Sequence, residues 1–268
     1  MQKIFNNFNF KIIKIIGLKY FSIYLFFTLI NFLRIIKTKK LSYVDFLMGK
    51  TDINKFKLDS IIYFDCKFVD KNILEDTYTF GLIREIYFRN CYLKYIPFNI
   101  IKNIETTIDL GSNRGVFSCL STQFSKKIVC VEKNSKYAIS LQRNMELNSF
   151  SNFFIENKKI LQDDLINSEN LKNSLGIHNL FEKYEIRDRC LIKIDIEGWE
   201  ESLFKETKWL NNIDILLMEV HPKININLNI EYIINKLEDN KFNLVICDEN
   251  LVKIKNTKNI SFIFAYRN

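Results

Sequence analysis

The chain has 268 residues, 47% of them hydrophobic and 26% charged. That composition suits a globular fold with a sizeable core and excludes a wholly disordered, fibrous or collagen-like protein. The net charge of +8 is unevenly placed: residues 1–40 hold eight bases (Lys3, Lys11, Lys14, Lys19, Arg34, Lys37, Lys39, Lys40) and no acid, while the other 31 Lys and Arg match 31 Asp and Glu. A neutral body with a basic arm argues against a nucleic-acid enzyme, which would carry its positive charge over the binding face.

Within the arm, residues 20–33 (YFSIYLFFTLINFL) form a nearly unbroken apolar run. As a helix it is about 21 Å long, short of the roughly 30 Å of a bilayer's hydrocarbon core. Widening it to residues 15–36 brings in Lys19 and Arg34, which would have to snorkel. Three environments remain open: a membrane interface, a full span, or docking on the body. No small-residue cleavage site follows, so a secretory signal peptide is not expected.

Residues 41–104 read as a mixed preamble, with a strand near Ser60–Phe68 and a helix near Thr79–Arg89. From Glu105 the pattern becomes regular. Strands are predicted at 105–110, 127–132, 152–156, 190–196, 213–220, 242–247 and 260–266, and helices at 115–125, 135–148, 199–209 and 229–240. Such alternation implies an α/β fold with a mostly parallel sheet covered on both faces. The last two strands lack room for a helix between them, so the sheet is expected to end with one antiparallel strand. Six scattered cysteines (Cys66, Cys91, Cys119, Cys130, Cys190, Cys247) have neither disulfide nor zinc spacing and read as core thiols in a reducing compartment.

Chemistry concentrates in three strand ends. Thr107–Val116 (TIDLGSNRGV) follows a strand and opens a helix, with Asp109, Gly111 and Gly115 giving D-x-G-x-x-x-G. Glycine lets the chain turn and lets a ligand approach the backbone, and the helix N-terminus behind it offers free N–H groups. Ser112 and Asn113 lie in the same loop. The next strand ends in Glu132, an acid placed to accept both hydroxyls of a ribose. The set describes a nucleoside-type cofactor site; the third glycine of a nicotinamide fingerprint is missing. Leu191–Glu200 (LIKIDIEGWE) puts Lys193, Asp195 and Glu197 on one strand face, and Leu216–Pro222 (LLMEVHP) puts Glu219 and His221 at another strand end.

The succession DLGSNRGVFS, VEK, KIDIEGWE and MEVHP resembles the FkbM family of S-adenosylmethionine-dependent methyltransferases over roughly residues 105–221. Lys133-Asn134 stands where that family often has Pro after the ribose-binding acid. The resemblance implies a seven-stranded, doubly wound Rossmann-like sheet over residues 105–268, preceded by the arm (1–40) and the preamble (41–104). It also implies O-methylation of a sugar, glycan or other small hydroxyl compound. Asp109, Gly111, Ser112, Asn113, Gly115 and Glu132 would bind S-adenosylmethionine. Of the catalytic candidates, His221 is the best base by reference pKa and Asp195 the second, with Lys193 neutralising Asp195 or Glu219. Asp195, Glu197 and Glu219 form an oxygen-rich set suited to Mg²⁺, although ion pairing explains the same acids and no metal requirement is expected. Residues 157–189 match nothing specific. The rivals are a nucleic-acid methyltransferase and a non-catalytic membrane-associated binding protein. The arm places the expected enzyme in the cytoplasm, at the inner face of a membrane.

Overall fold

The computed structural model describes residues 10–58, 60–66, 78–167, 172–222, 224–225, 228–257 and 259–267. Lys3 and the end of the strand predicted at 60–68 fall outside them. The apolar arm folds as α1 (Phe10–Ile30) and α2 (Phe32–Thr38). Gly17, at φ 75°, bends α1 in a conformation that costs a glycine little. One side of the arm buries Ile12, Ile15, Ile16, Tyr24 and Ile35 in the same core as the body, so on that side it is docked.

α3 (Ser42–Gly49) follows, then a hairpin of β1 (Lys55–Lys57) and β2 (Ile61–Tyr63). The strand predicted at 60–68 is therefore only three residues long. α4 (Thr79–Ile83) runs on into a π-helical turn at Arg84–Phe88, within the predicted helix 79–89, and α5 is Phe98–Ile101. Asp45 of α3 is buried against Arg84, accepting from Nε and Nη2 at 3.0 Å each. Gly81 leaves room for this pair; a Cβ there would come within 3.1 Å of Asp45 Oδ2. A buried charge of this kind is tolerated only because both carboxylate oxygens are matched. The anchored Arg84 then sets the start of the π turn.

The sheet uses β3 (Thr106–Leu110), β4 (Lys127–Val131), β5 (Phe153–Glu156), β8 (Cys190–Ile194), β9 (Ile213–Glu219), β10 (Asn243–Cys247) and β11 (Phe262–Tyr266). Its order is β10-β11-β9-β8-β3-β4-β5. Every neighbouring pair from β9 to β5 is parallel, and β11 runs antiparallel to both β9 and β10. The antiparallel strand thus sits one place in from the edge, where the sequence had suggested the edge itself. Side chains alternate as the pleat demands. Ile108, Ile192, Ile194 and Leu216 enter one core, while Leu191, Ile215, Leu217 and Phe264 enter the other. α6 (Val116–Ser121) and α7 (Ser135–Leu147) cover the second face with the arm and preamble.

In the unassigned stretch 157–189 the structure has a small parallel pair, β6 (Lys159–Leu161) and β7 (Ser174–Gly176), and α8 (Ile177–Lys183). α9 (Ile230–Asp239) packs on the first core. The helix predicted at 199–209 is instead two 3₁₀ turns, Glu200–Phe204 and Lys208–Asn212. Leu203-Phe204 and Trp209-Leu210 are all buried, yet six residues at about 100° each would put the pairs on different sides of one α-helix. The break at 205–207 lets both face the sheet.

The chain leaves β3 for β4 and β5 on one side and returns to β8 on the other. The carboxyl ends of β3 and β8 therefore flank the topological switch point, where ligands bind in open α/β sheets.

Candidate active site

At the switch point the β3 loop is set by two glycines in the left-handed region, Gly111 (φ 74°) and Gly115 (φ 73°). A Cβ on Gly111 would collide with the Asp195 carbonyl, and one on Gly115 would come within 2.9 Å of Leu141. The loop is therefore pressed against the end of β8. Ser112 Oγ donates to the Asp109 carbonyl, and Ser118 Oγ donates to Asp109 Oδ2 at 2.6 Å. Asp109 is fully buried. It, Ser112 and Gly115 hold the loop's shape and do not line the pocket it borders.

That pocket has a volume of about 260 Å³, and Gly111, Asn113, Glu132 and Asp195 face it. Glu132 accepts the Asn113 N–H at 2.8 Å through Oε2 and the Asn134 N–H at 2.7 Å through Oε1. Burial raises its pKa, against the opposing pull of those amides. Asn113 Oδ1 is buried without a hydrogen-bond partner among the described residues. Sequence reasoning missed the far wall: Tyr137, Lys158, Lys159 and Trp199, with Lys159 Nζ 3.5 Å from the centre of the Trp199 ring. Lys158 and Lys159 follow the tip of β5, and that position was the available signal.

Behind Asp195 the charged side chains converge. Asp109 and Lys193 are register partners on β3 and β8, which brings Lys193 Nζ to 3.2 Å from Asp109 Oδ1. The same ammonium donates to the Gly111 carbonyl at 2.8 Å and lies 3.4 Å from Asp195 Oδ2. Burial alone would lower the Lys193 pKa, but Asp109 and Asp195 outweigh it and raise it. Lys193 is a fixed cation.

Tyr92, a residue the sequence did not single out, places its hydroxyl 3.2 Å from Asp195 Oδ2 and 3.1 Å from Glu219 Oε2. A phenol has one proton to give, so it donates to one of the two acids at a time. Burial and the Asp195 charge push the Glu219 pKa up to about 7, against the opposing pull of His221, Tyr92 and Lys193.

His221 Nδ1 bonds the buried Glu200 at 3.0 Å, which turns Nε2 towards Asp195 Oδ1 (3.6 Å) and Glu219 Oε1 (4.0 Å). Burial favours the neutral ring, but Glu200, Asp195 and Glu219 together raise its pKa to about 9. At neutral pH the ring is therefore an imidazolium, a donor and not the base its reference pKa suggested.

Glu197 leaves this group. β8 ends at Ile194, the strand alternation stops, and Glu197 at φ 55° pairs with Lys133 at 3.1 Å on the exposed rim. Among the described residues, the set that brings metal-ligand atoms within 4.8 Å of one another is Asp195, Glu219 and His221, in place of Asp195, Glu197 and Glu219. Its Asp195 Oδ2 is already engaged by Lys193 and Tyr92.

Glu219 and His221 also line a second, larger cleft of about 780 Å³, together with Glu85 and Arg89 of the π turn, Asn250 and Ser261. The charged cluster is thus a wall between two cavities, with Asp195 facing one and Glu219 and His221 facing the other.

The strand order, with its one antiparallel strand, is that of a Rossmann-like doubly wound sheet. The chain matches no known family profile and no curated protein. Among solved structures it is similar to a methyltransferase FkbM from Methylobacillus flagellatus KT, at 15% identity over 70% of this chain and 54% of that one (TM-score 0.44). It is similar too to a precorrin-6y C5,15-methyltransferase from Geobacter metallireducens GS-15, at 12% identity over 76% of this chain and 96% of that one (TM-score 0.43). An rRNA methylase from Streptococcus thermophilus is 12% identical over 62% of this chain and 87% of that one (TM-score 0.41).

Proposed function

We propose that the protein transfers a methyl group from S-adenosylmethionine to a hydroxyl of a polar acceptor, with a sugar or glycan as the acceptor class. The observation that carries this reading is the first cavity, bordered by a glycine-rich loop and an acid, with Asp195 at its edge joined to the titratable Glu219 and His221. The first cavity fits a nucleoside cofactor. Asn113 Oδ1 is a buried acceptor awaiting a donor, and Glu132 keeps lone pairs beyond the two amides it already holds. Gly111, Asn113 and Glu132 would hold the cofactor, with Asp109, Ser112 and Gly115 keeping the loop in shape. When bound, it supplies an electrophilic methyl group on a sulfonium.

The chain's own task is then to align the acceptor and take its proton. Glu219 is the proposed base. Its pKa, raised to about 7, makes it basic enough to accept a proton while it remains partly ionised at neutral pH. His221, cationic up to about pH 9, steadies the carboxylates of Glu200, Asp195 and Glu219 at the edge of the acceptor cleft. Lys193 fixes Asp195 and the loop together, which makes an added divalent cation redundant for charge balance.

The test has two parts. Calorimetric titration should show S-adenosylmethionine binding to the wild type, no binding to Gly111→Val, and weaker binding to Glu132→Ala by about 10-fold, the equivalent of one lost hydrogen bond of roughly 1.4 kcal/mol. Incubation with labelled cofactor and a panel of hydroxylated acceptors should then release S-adenosylhomocysteine, with or without EDTA. A protein that prefers NAD, or binds neither nucleotide, removes the proposal; inhibition by EDTA removes the metal-free part.

A further inference from the structure

The arm is apolar on two sides, and the fold buries only one. Opposite Tyr24 and Ile35, the outward face of α1 and α2 carries Leu18, Phe26, Leu29, Ile30, Leu33 and Ile36, all exposed, with Leu33 at 81% and Leu29 at 63%. At about 100° per residue all six fall within roughly one third of the helix circumference, and so form one ridge along the helices. A surface helix of a soluble domain would be polar there. Singly exposed apolar residues are ordinary, but a contiguous ridge of this kind marks a binding surface.

Charge identifies what covers it. Exposed Lys11, Lys14, Arg34, Lys37, Lys39 and Lys40 flank both ends of the ridge, and residues 1–40 contain no acid. The body beyond is neutral. An apolar strip bordered by bases alone complements the anionic headgroups and acyl chains of a lipid surface. We infer that the arm is a rigid, pre-docked keel that seats the enzyme on an anionic membrane surface, ridge down, without crossing it.

The inner side excludes a simple span. Tyr24 packs on Phe80 with ring centres 5.9 Å apart, Lys19 pairs with Asp52, and the Arg34 guanidinium lies 4.0 Å over the Tyr43 ring. A helix surrounded by lipid would have to give up all three contacts and uncover the core. This inference stands apart from the proposed chemistry, since it uses no residue of either cavity.

The test is co-sedimentation of the full-length protein with vesicles of phosphatidylcholine alone or mixed with phosphatidylglycerol. Wild type should pellet with the mixed vesicles, pellet several-fold less with phosphatidylcholine, and be released by high salt. Leu29→Asp and Leu33→Asp should each lower the pelleted fraction about 10-fold while leaving the melting temperature unchanged, because neither side chain is packed on the body. Pelleting of these variants at wild-type levels overturns the inference, as does wild type that stays in the supernatant. Retention through alkaline carbonate overturns it in favour of a span. A wild-type dimer that Leu33→Asp converts to a monomer, with no vesicle binding, reassigns the ridge to a second copy of this chain.

Discussion

The two cavities at the switch point are built by different means. The first takes its shape from backbone: a glycine loop, two amides on one carboxylate, and a carbonyl held by Lys193. The second is walled by ionised side chains from separate parts of the chain, Glu85 and Arg89 from the π turn, Glu219 and His221 from the β9 end. Backbone recognition suits a ligand that never changes. Side-chain recognition can be re-tuned one residue at a time, which suits the partner that gives an enzyme its specificity. The difference also makes the second cavity the one whose behaviour depends on pH.

Glu219→Gln should break the acceptor side hardest. It keeps the shape and removes the base, so kcat should fall by about 10²- to 10⁴-fold with S-adenosylmethionine affinity nearly unchanged. In wild type, kcat should rise with pH through about 7 as Glu219 ionises, and fall above about 9 as His221 loses its proton. The two titrations are shared between neighbouring groups, so the limbs belong to the pair. In Glu219→Gln the acidic limb should vanish from the residual rate; its persistence would return the role of base to another group.

Asp45→Ala probes the wall from behind. Losing Asp45 leaves the buried Arg84 guanidinium with Glu85 alone as its carboxylate partner, and unfolding in urea should show a loss of about 3 kcal/mol. Because Arg84 begins the π turn that carries Glu85 and Arg89, the acceptor KM should rise more than the cofactor Kd. Equal changes in both would mean that the two sides are less separate than their construction implies.

The smallest effect is expected from Tyr92→Phe. Its hydroxyl steadies ionised Glu219, so removing it should raise the Glu219 pKa and move the acidic limb upward. A hydrogen bond to a charged acceptor is worth about 1.5 kcal/mol, or about one pH unit. A limb that stays in place would show that Tyr92 serves Asp195 alone.

The contrast between the two sides also decides what could be read from the sequence. The loop Asp109–Gly115 and Glu132 are legible because their spacing is local and their backbone role needs glycine or an acid at fixed points. The central strands, β3 and β8 above all, are legible because burial on both faces leaves near-continuous apolar runs. Tyr92 is 103 residues from Asp195, and Glu200 meets His221 only through the fold, so neither role leaves a local pattern. The protonation of His221 followed the same rule: three acids that gather in space set it, against the ring's reference value. At 199–209 the apolar spacing did hold the break, but the intervening charged residues disguised it as one amphipathic helix.

Lys193 touches both sides of the charged cluster. One ammonium donates to the Gly111 carbonyl of the first cavity while its charge helps hold Glu219 of the second in its ionised form. Whatever moves that carbonyl also moves a proton equilibrium on the other side of the wall. Thermodynamic reciprocity then applies: if a filled first cavity shifts the Glu219 pKa, affinity for its occupant must vary with pH by the same free energy. Binding measured in two buffers of different ionisation enthalpy would read that exchange directly, as protons taken up or released before any acceptor is present.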